Sequence, residues 1–229
     1  MIENHLLAAL PRKEYEALRR DLEPVTLNVG DILHEAEGRI RHVYFPSHGV
    51  VSIITVLREN ASVEVGTVGF EGMVGIPVFL GTDVATNRAV VQVPGDGVRM
   101  KASVFKKAID QSRTLHNLLN LYTNAHLAQV SLSVACNRFH NVETRLARWL
   151  LMIHDRVQAD IFKLTQEYIA RMIGTHRPHV TTAAGALQNK GLIRYYRSEI
   201  TILNRQGLES ASCDCYRISK EKFDGLFNK

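Results

Sequence analysis

The sequence predicts an α+β fold in three successive parts: an antiparallel β-roll, a long helix and a winged helix-turn-helix. Three observations predict it. Ten of the 15 glycines fall between Gly30 and Gly97, among short β-branched runs. From Gln111 to Cys136 there is neither proline nor glycine, and apolar residues recur at helical spacing. Beyond Leu164, two short amphipathic segments meet at Gly174 and lead into an alternating hairpin pattern.

At the front, Leu6, Leu7, Leu10, Leu18 and Leu22 suit one or two short helices with a break at Pro11. The β-type runs are Val43–Phe45, Val50–Val56, Val63–Val65 and Ala89–Val93. Turn signals separate them at Val29-Gly30-Asp31, Pro46-Ser47-His48-Gly49, Arg58-Glu59-Asn60 and Pro94-Gly95-Asp96-Gly97. Strands this short, punctuated this often, read as an antiparallel sandwich or roll over residues 1–110.

The middle part, 111–140, is a helix and a hinge. Leu115, Leu118, Tyr122, Ala125, Gln129, Leu132 and Cys136 alternate by three and four, the seam of a coiled coil. Roughly 26 residues at 1.5 Å each give a helix of about 39 Å. The seam is expected to join two copies of the chain, and Leu119, Leu121 and Val130 add further apolar surface.

The last part, 141–229, begins with a helix capped by Asn141, with Val142, Leu146, Trp149, Leu150 and Ile153 on one face. Thr165 caps the next helix, whose inner face is Ile169, Met172 and Ile173, and Gly174 ends it. Thr175 is expected to cap a second helix facing inward through Val180, Ala183, Ala184 and Leu187, with Pro178 in its first turn. Leu192 to Leu203 reads as a β-hairpin, or wing. In a helix-turn-helix the second helix enters the DNA major groove N-terminus first. His176, Arg177, His179, Thr181 and Thr182 then face base edges, and the guanidinium fork of Arg177 fits guanine O6 and N7. Thr165 and Gln166 at a helix start, with Arg194 and Arg197 on the wing, suit phosphates.

Charge agrees with this division. The chain has 229 residues and a net charge of +5. Residues 1–137 carry 13 Lys+Arg against 14 Asp+Glu, a balance of −1, and residues 138–229 carry 15 against 9, a balance of +6. The surplus points to an anionic partner for the C-terminal part. No apolar run reaches the roughly 20 residues of a membrane span, and the first residues lack a secretion signal's pattern, so a cytoplasmic location is expected. Three cysteines are too few for a disulfide framework. By count they also fall short of a four-ligand zinc site or an iron–sulfur cluster, although Cys213 and Cys215 are close in sequence. No metal or other cofactor is expected on this reading.

The segment Leu164-Thr165-Gln166-Glu167, Ile169-Ala170, Ile173-Gly174, Arg177, Val180-Thr181, Leu187 and Gly191-Leu192-Ile193 is similar to the DNA-binding signature of the Crp/Fnr superfamily of bacterial transcription regulators. Val29-Gly30-Asp31, Val43-Tyr44-Phe45, Gly49-Val50-Val51-Ser52 and Gly69 to Gly75 resemble its cyclic-nucleotide-binding-like roll more loosely. The resemblance implies a homodimer joined through the long helix. It also implies double-stranded DNA with two-fold-related half-sites, and RNA polymerase, as partners. Two departures stand out. The family's recognition helix commonly reads Arg-Glu-x-Val-Ser-Arg, whereas this chain has Arg177-Pro178-His179-Val180-Thr181-Thr182. Members that bind cyclic AMP carry Gly-Glu-Leu and Arg-Ser; here the matching places read Glu71-Gly72-Met73 and Asn87-Arg88. Glu71 and Arg88 are therefore candidates for an effector pocket in shifted register, where cyclic nucleotide is not the expected ligand. The family's oxygen sensors use an N-terminal cysteine cluster, and no cysteine precedes Cys136.

The alternative is a cupin-like enzyme, a β-roll with inner His and Glu ligands and an appended helical domain. His34, His42 and His48 fall at turns or strand ends with no His-x-His pair, and no Gly-x-Ser-x-Gly nucleophile motif occurs. The expectation is a regulator and no enzyme.

Overall fold

The computed structural model describes residues 3–58 and 61–227. Met1, Ile2 and most of the Arg58-Glu59-Asn60 turn signal lie outside them. The chain opens with α1 (His5–Ala8) and α2 (Arg12–Arg19), broken at Pro11 as the sequence predicts. Then follow β1 (Glu23–Leu27), β2 (Ile32–His34), β3 (His42–Pro46), β4 (Val50–Arg58), β5 (Ala61–Val68), α3 (Ile76–Phe79), β6 (Arg88–Val93) and β7 (Gly95–Lys101). The strands form two antiparallel sheets, in orders β1-β7-β3 and β2-β6-β4-β5. Leu27, Tyr44, Val51, Val68, Val74 and Val91 pack between them.

One turn signal is a strand. Gly95 and Gly97 pair with Leu27 and Val25 inside β7. A Cβ on Gly95 would lie 2.2 Å from the His48 carbonyl, and one on Gly97 2.4 Å from that of Phe45. The glycines here permit close approach of two backbones, a second use of the residue that composition cannot separate from a turn.

After α4 (Ala102–Gln111), Ser112 accepts a hydrogen bond from the Leu115 amide at 2.9 Å and starts the long helix α5 (Arg113–Phe139). Its 27 residues span about 40 Å. Asn141 caps α6 (Val142–Val157) through the Thr144 amide at 2.9 Å, as expected. The remainder is β8 (Ile161–Lys163), α7 (Gln166–Met172), α8 (Arg177–Asn189), β9 (Ile193–Tyr196), β10 (Glu199–Ile202), α9 (Arg205–Ala211) and α10 (Asp214–Asp224). No helix among the described residues is long and apolar enough to cross a membrane.

The seam of α5 points inward. Leu115, Leu118, Tyr122, Ala125, Gln129 and Cys136 are all buried within the chain, and Leu132 is half-buried. Tyr122 donates to the Met73 carbonyl at 3.0 Å, and Gln129 accepts from the Thr67 amide at 2.9 Å. Phe223 of α10 packs against Tyr122 with ring centres 6.3 Å apart. Six of the seven are therefore buried in the chain's own interior, and the expectation that these six form the surface between two copies is corrected. A three-four repeat reports a buried stripe; it does not say what buries it. The exposed apolar residues of α5 are Leu121, Leu127 and Val134, with Phe139 at its end.

The roll also packs against the C-terminal part. Val50 and Ile54 of β4 belong to the same apolar core as Leu146, Trp149, Leu150 and Ile169. Polar groups are buried across this junction. Glu64 of β5 accepts from Trp149 Nε1 at 2.8 Å and from Ser52 Oγ at 2.5 Å. Glu71 holds Arg156 of α6 at 2.7 Å. Burial pushes the Glu64 carboxyl up to about 7, against the pull of its hydrogen bonds to Ser52 and Trp149 and of Arg156 and Arg148. Burial drives His126 of α5 down to about 4, with Arg156 acting in the same direction.

These two groups oppose each other with pH. Between about pH 4.5 and 7 the folded chain keeps a Glu64 proton that the unfolded chain has lost, so this contribution falls as pH rises. Between about pH 4 and 6.5 the unfolded chain takes a His126 proton that the folded chain refuses, so that contribution rises with pH. Glu64→Gln leaves the His126 slope unopposed. Its urea-unfolding free energy should climb from pH 4.5 to 6.5 by up to about 3 kcal/mol more than that of the parent chain. Parallel pH profiles for the two proteins would contradict the buried, protonated Glu64.

Candidate nucleic-acid interface

The two short helices meet through a glycine-capped turn. Gly174 has φ +62°. The Thr175 amide reaches the Ala170 carbonyl at 2.8 Å and the Gly174 amide reaches that of Arg171 at 3.3 Å, which together close a Schellman motif. Gly191 ends α8 in the same way, at φ +68°. Thr165 caps α7 through the Tyr168 amide at 3.2 Å.

The start of α8 differs from expectation by one residue. His176, not Thr175, is its N-cap, with no side-chain capping bond. Thr175 Oγ1 instead lies 3.1 Å from His179 Nδ1. Pro178 thereby becomes the second helical residue, where its missing N–H leaves no intrahelical bond unmade. Val180, Ala183, Ala184 and Leu187 are buried as the inner face.

The opposite face is open. His176, Arg177, His179, Thr181 and Thr182 are all exposed. Thr181 Oγ1 donates to Gln166 Oε1 at 2.8 Å and so ties the two helices together. The hydroxyls of Thr181 and Thr182 also lie 3.2 Å from the carbonyls one turn back, of Arg177 and Pro178 respectively. The His176 and His179 rings are 6.0 Å apart, edge to face.

The wing stands beside this face. β10 is central in the sheet β8-β10-β9. Arg197 and Ser198, at φ +47° and +67°, make the two-residue turn whose twist suits a hairpin. Arg194 and Arg197 are exposed, and the Arg197 guanidinium stacks 5.1 Å above the Tyr196 ring centre. A groove of about 530 Å³ runs between helix and wing, lined by Thr165, Gln166, Glu167, Arg177, Tyr195, Arg197 and Ser198. Four predicted residues, Thr165, Gln166, Arg177 and Arg197, meet there. His176, His179, Thr181, Thr182 and Arg194 lie outside its lining.

Sequence reasoning missed Tyr195, Ser198 and Glu167. Tyr195 donates to the Leu164 carbonyl at 2.6 Å, and its amide donates to Gln188 Oε1 at 2.8 Å, so it fastens the wing to α8 and to the segment just before α7. Burial pushes its hydroxyl up to about 12. Its alternation with exposed Tyr196 along β9 was the available signal. Glu167 sets a negative charge beside the groove, which repels phosphate and narrows where a backbone can lie.

The effector pair is not assembled. Glu71 turns to α6, where its Oε1 takes Arg156 and the Gly69 amide. Arg88 lies on β6 and binds Glu35 at 2.6 Å on the surface. The expected pocket of Glu71 and Arg88 is therefore corrected: one side chain is committed to Arg156 of α6 and the other to a surface ion pair. The basic surplus is also partly internal. Arg145, Arg148 and Arg156 are buried, so three of the 15 C-terminal cations serve packing rather than a partner's charge.

Residues 144–211 match the model of the Crp-like helix-turn-helix domain. No curated protein sequence matches the chain. Solved structures share its fold. One from Eubacterium rectale, assigned to the Crp/Fnr family of transcriptional regulators, has a TM-score of 0.70 at 19% identity and covers 91% of this chain and 99% of its own. FixK2 from Bradyrhizobium japonicum has a TM-score of 0.69 at 16% identity, over 84% of this chain and 98% of its own. The c-di-GMP-responsive global regulator CLP from Xanthomonas campestris has 0.67 at 14%, over 84% and 99%.

Gly174→Ala should cost about 1–2 kcal/mol of stability in urea unfolding. It forces a side chain into left-handed backbone, and its Cβ would lie 3.1 Å from Val63 Cγ2 of the roll. An unchanged unfolding midpoint would contradict the turn geometry.

Proposed function

We propose that this chain, a member of the Crp/Fnr group by its fold and its Crp-like helix-turn-helix domain, is a transcription regulator that reads DNA as a homodimer. The observation that carries the reading is the exposed polar face of α8 beside the wing groove, where Arg177 has its guanidinium unpaired among the described residues. Arg177 reads a base edge, and His179, Thr181, Thr182 and His176 line the same face. Thr165, Gln166, Arg194 and Arg197 hold phosphates on either side. Arg177→Ala should weaken specific binding by about 1–3 kcal/mol and relax preference at one base position in a mobility-shift assay. Unchanged specificity would remove Arg177 from the reading role.

The homodimer rests on the other face of α5. Leu127 and Val134 are seven residues apart, hence on one stripe, and are 61% and 64% exposed. Leu121 flanks them, with Asn124, Ala128 and Ser131 between. Reading two-fold-related half-sites on one DNA face requires the two α8 helices of such a dimer to stand about 34 Å apart. Any signal would act by moving the reader about the hinge at 137–141 and so changing that spacing. RNA polymerase is the further partner that the family resemblance implies. The cupin alternative is not favoured: among the described residues, one group of neighbouring metal-ligand side chains, Glu3, His48 and Asp96, is exposed, and the other lies at the ends of α5 and α10, outside the roll.

The double variant Leu127→Asp, Val134→Asp should sediment as a folded monomer at micromolar concentration and lose most of its DNA affinity. A parent chain that is itself monomeric, both free and on DNA, would refute the dimer.

A further inference from the structure

We propose that Cys136, His140, Cys213 and Cys215 form a binding site for one tetrahedral thiophilic divalent cation, zinc by preference, at the junction of α5 and α10. Counting cysteines hid this site, because its fourth member is a histidine 73 residues from the nearest of the C-terminal pair. The fold assembles it from two helix ends. Cys136 and His140 lie one turn apart where α5 stops, and His140 is its C-cap. Cys213 is the N-cap of α10, and Cys215 lies in its first turn.

The geometry suits a single ion. All four ligand atoms lie within 4.8 Å of one another. Cys136 Sγ and Cys213 Sγ are 3.7 Å apart, and Cys215 Sγ is 3.9 Å from His140 Nδ1. Zinc–sulfur bonds of about 2.3 Å in a tetrahedron place neighbouring sulfurs about 3.8 Å apart. An iron–sulfur cluster sets several atoms between its ligands and needs a wider cage. Three thiolates, one neutral imidazole and Zn²⁺ sum to a charge of −1, and cations stand ready to balance it. Arg145 and Arg148 of α6 are buried next to the thiols, and the Nε of each has no hydrogen-bond partner. Cys136 and Cys215 are two of the buried residues, so the site is closed on one side and reached past half-buried His140 and Cys213.

An ion here would pin α10, which begins beyond the helix-turn-helix match at 144–211, to the hinge end of the long helix. It would also bear on the reader, since Arg145 donates to the Gly174 carbonyl at 3.4 Å in the turn between α7 and α8.

The test uses the reduced, metal-stripped full chain titrated with Co²⁺ and then Zn²⁺, with no DNA present. One Co²⁺ per chain should bind with the intense visible absorption of tetrahedral thiolate coordination, and one equivalent of Zn²⁺ should abolish it. Cys213→Ser, Cys215→Ser and His140→Asn should each weaken binding by at least about 10–100-fold, the loss that even an outer-shell change brings. Half-buried His140 and Cys213 make those variants able to fold, which circular dichroism verifies. The proposal is overturned by a reduced parent chain that gives no such absorption, by a signal that survives in the Cys213→Ser, Cys215→Ser double variant, or by a chain that isolates with Cys136 and Cys213 disulfide-bonded and takes up no ion after reduction.

Discussion

The roll and the C-terminal part meet across a surface that carries charge into the interior, and burial obliges those charges to pair. Arg156 and Glu71 lie 2.7 Å apart with both side chains almost wholly withdrawn from water. Such a pair adds little net stability, because desolvation offsets much of the attraction; breaking it by removing one partner costs about 3–5 kcal/mol. Its consequence is positional. α6 cannot slide or rotate on the roll without stranding a carboxylate or a guanidinium. Since α6 leads directly into β8, α7 and α8, the orientation of α8 is inherited from that contact. Glu64 works alongside it by a different route, accepting from Trp149 while burial favours its protonated form.

The long helix is the second organising element, and its two faces do unlike work. One stripe fills the core between roll and α10, with Tyr122 and Gln129 anchored to backbone groups of the roll. The other leaves Leu121, Leu127 and Val134 in contact with solvent. The inner stripe ties α5 to its own chain, and the outer one stays at the surface.

Local pattern carried far in this chain. Asn141, Thr165, Gly174 and Gly191 act as the caps and stops their chemistry prescribes, because capping involves only neighbours along the chain. The exposed residues of α8 were legible for the same reason: helical period separates Val180 and Leu187 from Arg177 and Thr181. The α8 start slipped by one residue because His176 and Thr175 are both acceptable entries, and Pro178 tolerates either.

The sequence by itself determined the order of parts, the helix-turn-helix with its wing, the face that α8 presents, and the concentration of positive charge in the last third. Each of these is a property of residues a few places apart. Tertiary structure alone decided which stripe of α5 is core, that Glu71 serves Arg156 and Arg88 serves Glu35, that three cations lie inside, and that Cys136 and His140 meet Cys213 and Cys215. The reason is physical. Periodicity states that a face is buried, and composition states how many ligands exist. What covers a face, or which distant side chains converge, depends on contacts between segments tens of residues apart, set by packing and by the pairing of buried charge.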